Sequence, residues 1–206
     1  LVASFTLVGM SRWAPNARER LEDAALELFA DHGYEATSVA QIAERAGLNR
    51  ATFFRHFADK REILFGGEER LVGLFVSGIR EAGPEATLAE CLQSALRAAA
   101  SLMTEEQRRK ADRRRSVAAA NVEVQERGLL KRRMMAHAIA AALLDRGVDE
   151  LTALLGAEIA ILAFGIALQR WVGSDGADPF SVHAGAALGD LQARVGELEP
   201  PTSTHA

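Results

Sequence analysis

Apolar and polar positions alternate with a helical period along most of the chain. Leu21, Ala25, Leu28 and Phe29 share one face of a first helix. It is expected to start at Asn16, because Asn16 and Glu19 have capping-box spacing, and to stop at Gly33. Thr37 or Ser38 opens a short second helix: Ser38 and Gln41 repeat the box spacing, Val39, Ile42, Ala43 and Ala46 line one face, and Gly47 ends it. Asn49 caps a third helix of about two turns, with Leu48 and Phe53 placed as a hydrophobic staple. Asp59 and Glu62 predict the box of a fourth, which carries Ile63, Leu64, Leu71, Leu74 and Phe75 to the Gly83-Pro84 break. Larger helices follow over 88–103, 105–120, 122–144, 150–172 and 180–195.

The expected fold is therefore all-α: an N-terminal three-helix helix-turn-helix domain and a C-terminal helical bundle, roughly nine helices in total. The expected divisions are an N-terminal extension over 1–14, a helix-turn-helix domain over 15–60 with its linking helix starting near 59, a larger domain over 61–198, and a disordered tail over 199–206. The opening "LVASFTLVG" lacks the basic start of a signal peptide and reads as a loosely packed extension ahead of Met10.

Composition supports the helices: 49 % of residues are hydrophobic, and only five are Pro. A net charge of −4 argues against a generally basic coat, so nucleic-acid binding requires local charge. The segment from 45 to 61 supplies it, with Arg45, Arg50, Arg55, Lys60 and Arg61 against Asp59 alone, whereas Glu19, Glu22, Asp23, Glu27, Asp31 and Glu35 load the preceding segment with acid. The single Cys91 excludes an intrachain disulfide or a cysteine-based zinc cluster and fits a cytoplasmic protein. His32, His56, His137, His183 and His205 show no metal-ligand spacing, and no Gly-rich phosphate loop occurs. No metal, cofactor or catalytic site is expected.

Two short helices joined by Ala46-Gly47-Leu48-Asn49 have the proportions of a helix-turn-helix, whose second helix enters the major groove. At 100° per residue, Phe53 and Phe57 point inward and Ala51 and Arg55 outward, with Arg50 and Phe54 on one flank and Thr52 and His56 on the other.

The span 18–64, "RERLEDAALELFADHGYEATSVAQIAERAGLNRATFFRHFADKREIL", resembles the DNA-binding domain of the TetR-type (TetR/AcrR) regulators from end to end. The resemblance rests on a Phe late in the first helix, Gly and an aromatic before "ATS", "IAERAG", "TFFRHF" and the following "DK". It implies base or backbone contacts for Arg50, Ala51 and Thr52 at the start of the recognition helix, with Arg50 readable as a guanine or a phosphate contact, and phosphate contacts for His56 and Lys60. Thr37, Ser38, Arg45 and Arg55 complete the expected DNA-facing set, with Arg45 and Arg55 equally readable as solvated or ion-paired. Phe54 stands where the family usually has Tyr. The phosphate-seeking hydroxyl is gone, leaving apolar contact with a thymine methyl or a sugar.

The same resemblance implies a homodimeric repressor on a palindromic double-stranded operator, released by a small-molecule effector held in the larger domain. The last two helices, 150–172 and 180–195, would form a four-helix bundle with their symmetry mates, with Gly156, Gly165, Gly185, Ala186 and Gly189 permitting close approach. Met103, Met134, Met135, His137, Phe164 and Trp171 supply candidate pocket surface, although each taken singly reads as ordinary core, since Met and aromatic residues at helical spacing usually pack. "RRKADRRR" at 108–115 reads as a solvated face with Glu105 and Glu106 paired to Arg109 and Lys110, or else lends one of Arg113 to Arg115 to an anionic ligand. The apolar run from Leu151 to Leu168 has the length of a membrane span, but Glu158 lies within it and burial on two sides explains it; no membrane is expected as partner. The competing classes are an enzyme and a helix-turn-helix protein that acts through protein contacts after losing DNA binding.

Overall fold

The computed structural model describes residues 16–197, so the expectations for the extension at 1–14 and the tail at 199–206 fall outside the described residues. Nine α-helices and one 3-10 turn are formed, with no strand among the described residues. They divide into two compact units that meet at Gly66 and Gly67.

The first unit contains α1 (Ala17–His32), α2 (Val39–Arg45), α3 (Arg50–His56) and a 3-10 turn (Glu62–Phe65). Leu21, Ala25 and Phe29 of α1 pack into a core with Ile42, Phe53, Phe57, Ile63 and Leu64, so each short element contributes at least one large apolar side chain. The expected capping box at Asn16 is not formed. Asn16 takes a left-handed conformation (φ 68°) and its side chain makes no cap hydrogen bond. At α2 both halves of the Ser38/Gln41 box are present. Its end is a Schellman closure: Leu48 N–H donates to Ala43 O and Gly47 N–H to Glu44 O, with Gly47 at φ 63°, a backbone that favours glycine.

The fourth element departs from the expectation of one continuous helix from 59. The Asp59 carboxylate does accept from the backbone N–H of Arg61 (2.8 Å) and Glu62 (3.1 Å), but the turn it starts ends at Phe65. Two consecutive glycines then interrupt the helix, and Gly67 sits at φ 84°. A side chain at Gly66 would also collide with Glu22, its Cβ falling 1.9 Å from the buried carboxylate.

The second unit contains α4 (Glu68–Glu81), α5 (Leu88–Ala100), α6 (Glu105–Ala120), α7 (Val122–Leu144), α8 (Glu150–Gly173) and α9 (Phe180–Gly196). Thr87, Thr104 and Asp149 cap α5, α6 and α8 by accepting from the backbone N–H three residues on. The expected helix over 88–103 stops at Ala100, where backbone bonds from Leu102 and Met103 tighten to the third residue back. Two arginines satisfy helix C-termini: Arg146 donates to Ala82 O and Gly83 O beyond α4, and Arg108 donates to Ser174 O beyond α8. α4 crosses α5 at Gly78, where a Cβ would lie 2.7 Å from the Ala95 backbone.

α8 packs on α5, α6, α7 and α9. Its length and mean hydropathy of 2.2 match a membrane span. Burial of Ala153, Ala157, Ala160, Ala163, Ala167 and Trp171 among those four helices accounts for the same composition. An aromatic chain runs through this core, Phe75 to Phe164 (5.6 Å), Phe164 to Phe180 (5.1 Å) and Phe180 to Trp171 (5.4 Å).

Candidate nucleic-acid interface

The site is built on α3, a helix too short to persist without its cap and its core contacts. Asn49 supplies the cap, its side-chain oxygen accepting from Thr52 N–H at 2.8 Å. Phe53 (0 % exposed) and Phe57 (3 %) fix the inner face, their rings 5.6 Å apart. Arg18 of α1 lies 4.8 Å over the Phe57 ring and pairs with Glu22 at 3.3 Å. Arg20 donates to Ala46 O and so ties α1 to the turn between α2 and α3. Neither arginine stood out in the sequence, since nothing local connects position 20 to position 46.

Anchored in this way, α3 turns Arg50, Ala51, Phe54 and Arg55 to solvent, with His56 half-buried at the edge. Two members of the expected DNA-facing set do not stand on that surface. Thr37 is 2 % exposed and its hydroxyl faces Gly33 O (2.8 Å) and Leu28 O (3.3 Å), so it fastens the chain leaving α1. Thr52 is 7 % exposed and its hydroxyl accepts from Arg55 at 2.9 Å, which makes it a support for Arg55. Ser38 is exposed, with its side chain committed to the α2 capping box.

The cations differ in how they are held. Arg45 pairs with Glu27 of α1 at 2.8 Å, a partner 18 residues away. Lys60 donates to Tyr34 O at 2.6 Å and lies 4.1 Å over the Tyr34 ring. Arg61 pairs with Asp59 at 2.7 Å. Burial pushes the Asp59 carboxyl up, but the Arg61 side chain and the backbone N–H groups of Glu62 and Arg61 outweigh it and hold it below its usual value. Among the described residues of this unit, Arg50 is the one arginine or lysine with no intramolecular partner.

A two-turn helix behind a glycine turn, apolar inward and basic outward, is a helix-turn-helix. Residues 21–65 match the bacterial regulatory proteins described as the tetR family. The first unit therefore carries a tetR-family DNA-binding domain. The HTH-type transcriptional activator FasR of Mycolicibacterium smegmatis is 40 % identical over 65 residues, 32 % of this chain and 30 % of that protein. The HTH-type transcriptional regulator TcmR of Streptomyces glaucescens is 54 % identical over 46 residues, 22 % of this chain and 20 % of that protein. The chain thus matches less than a third of the length of these curated relatives. Thermus thermophilus FadR, a TetR-family transcriptional repressor solved in complex with lauroyl-CoA, aligns with a TM-score of 0.51 at 20 % identity. That alignment covers 92 % of this chain and 98 % of FadR, and it shows that this chain shares the fold of FadR.

The expected effector pocket does not assemble as a set. Met134 is 62 % exposed and His137 also faces solvent, because α7 turns Met135 and Ile139 inward instead. Met103 packs against the core, and Phe164 and Trp171 belong to the aromatic chain. Two clefts of the second unit lie elsewhere: one of about 550 Å³ runs along Ile166, Arg170, Asp190 and Arg194, and one of about 90 Å³ lies between Leu96 of α5 and Leu188 of α9. In the basic run Glu106 does pair with Lys110 (2.7 Å), whereas Glu105 pairs with Arg108 (3.0 Å) instead of Arg109.

Proposed function

We propose that this TetR-family chain is a sequence-specific DNA-binding transcriptional regulator that works as a homodimer, represses from a palindromic double-stranded operator and releases it when a small molecule occupies the second unit. The observation that carries the DNA-binding reading is Arg50, exposed and unpartnered at the start of α3 while the other cations of the unit are tied down. A guanidinium in that position is free to present its fork to a guanine edge. Arg45, Arg55 and Lys60 then exchange weak surface partners for phosphates at little cost.

Dimerisation through α8 and α9 is supported by Leu155, Leu162 and Val182, large apolar side chains left in solvent on those helices. Gly165, Gly185 and Gly189 support it too, since nothing within 4 Å fills the place a Cβ would take, leaving room for a second helix to approach. Ligand release is supported by the shared fold with FadR, which was solved holding lauroyl-CoA. Such release requires that the ligand bind more tightly to the conformation that fits DNA poorly. The relatives include one named an activator and one named a repressor, and repression is proposed here as the TetR-like mode.

The test is binding of the purified chain to duplex fragments from its own upstream region across a salt series. The expected result is one preferred fragment, with log affinity falling linearly with log salt. Association that is weak, indifferent to sequence and insensitive to salt would transfer the reading to a protein-contact role. A reporter fused downstream of the preferred fragment then separates repression from activation.

A further inference from the structure

We propose that Phe54 reads the C5-methyl of a thymine in the operator half-site, an inference that rests on the DNA-binding role of α3. Phe54 is 50 % exposed and is the only large apolar side chain exposed among the described residues of the first unit. Its ring meets the fully buried Phe53 ring edge-on, with centroids 5.4 Å apart and planes at 79°. The contact holds the exposed ring against a rigid neighbour instead of leaving it to sweep through solvent. A phenyl ring has no atom to offer a phosphate. What it can desolvate favourably on a duplex is apolar, and in the major groove the apolar group that varies with sequence is the thymine methyl.

Placement separates the methyl from the sugar. Phe54 follows Arg50 by four residues, so both lie on one flank of α3. The rise between them is about 6 Å, roughly two base steps of a duplex whose pairs repeat every ~3.4 Å. When Arg50 addresses a guanine edge, Phe54 is carried along the same line of base edges. The half-site is therefore expected to hold a thymine one or two base pairs from that guanine.

The experiment selects preferred duplexes from a random pool with the full-length protein. It then replaces each half-site thymine in turn by deoxyuridine, which differs only in lacking the methyl. One position is expected to weaken wild-type binding about fourfold per half-site, the effect of one buried methyl-sized group. Changing both half-sites is then expected to cost about fifteenfold. The Phe54→Ala variant, folded because the ring is half in solvent, is expected to bind the thymine and deoxyuridine duplexes equally. Two results overturn the inference: no thymine position responds to loss of its methyl, or Phe54→Ala weakens binding yet keeps the full deoxyuridine penalty. The first leaves sequence-specific binding intact and points to a sugar contact; the second assigns the methyl to another side chain. Failure to select any sequence removes the DNA-binding reading itself, a distinct outcome.

Discussion

Among the described residues, the first unit covers its surface with charge and leaves a single large apolar ring in water, whereas the second exposes eleven large apolar side chains along α7, α8 and α9. In the first unit, helices of seven residues are held by caps, backbone bonds from arginine and lysine, and a core that takes up most of the large apolar residues described there. In the second, helices of up to 24 residues bury one side and keep apolar stripes on the other. A charged surface stays soluble until a polyanion arrives, while a long apolar stripe stands as surface awaiting burial. The contrast supports the proposed division, with recognition chemistry in one unit and association in the other.

The strongest way to break that division is to damage each core in turn. Phe53 and Phe75 are both fully buried, in separate clusters, and replacement of either by Ala should cost about 3–5 kcal/mol. Phe53→Ala is expected to abolish DNA binding while sedimentation still finds a dimer; Phe75→Ala is expected to lose the dimer. A Phe53→Ala protein that dissociates to monomers would end the comparison.

A smaller effect comes from surface changes on α8. Leu162→Glu adds a charge to an exposed position, so helix content should hold while the dimer falls apart. Operator affinity should then drop on the order of 100-fold, because one half-site is left to do the work of two. Glycines on the same helix sharpen the point. Gly165→Ala places its methyl in open space and is expected to weaken only the dimer, whereas Gly156→Ala meets the end of the Leu88 side chain at 2.9 Å, which must shift, so it is expected to raise the melting temperature of the monomer less than Gly165→Ala does.

Within the first unit, Arg50→Ala should cost about 1–3 kcal/mol on the operator and relax discrimination at one base pair, with little change on random DNA. Lys60→Ala should weaken binding to every sequence and lower the salt slope by about 1. Equal losses on operator and random DNA for Arg50→Ala would remove it from the base-reading role.

How far the sequence could be read follows the same division. The caps at Ser38 and Asn49 were legible because a cap is a local arrangement of a few residues. The inward turn of Phe53 and Phe57 was legible from helical period alone. Asn16 misled, since box spacing does not guarantee the extended backbone a cap requires. The break at Gly66-Gly67 was missed because Leu64 and Leu71 keep helical spacing across it, and only the buried Glu22 carboxylate reveals why Gly66 admits no side chain. Thr37 and Thr52 could not be separated from the surface by position, because their burial depends on long-range packing. The pocket residues were chosen for chemistry without phase, and α7 turned two of them outward.

The smallest expected effect concerns the turn that closes the first unit. Asp59 is held below its ordinary value, so its charge stabilises the fold at neutral pH, and that contribution is lost as the pH falls through the lowered value, beneath the ~3.9 of an unfolded aspartate. Its side chain is partly in solvent, which screens the pairing with Arg61 and keeps the effect modest. Asp59→Asn keeps an acceptor for the Arg61 and Glu62 N–H groups but removes the charge. Thermal melting of both proteins from pH 7 to pH 3 should show the wild type higher at neutral pH and the two curves converging in acid. A gap that persists unchanged to pH 3 would mean that shape, and not the charge of Asp59, closes the turn. In the second unit Glu90, whose carboxylate returns to the Thr87 cap, and the Asp149 cap itself are held low chiefly by their bonds to Thr87 and Thr152 and titrate in the same direction. The Asp59 contribution must therefore be taken as the difference between the two proteins and not from the acid limb of either alone.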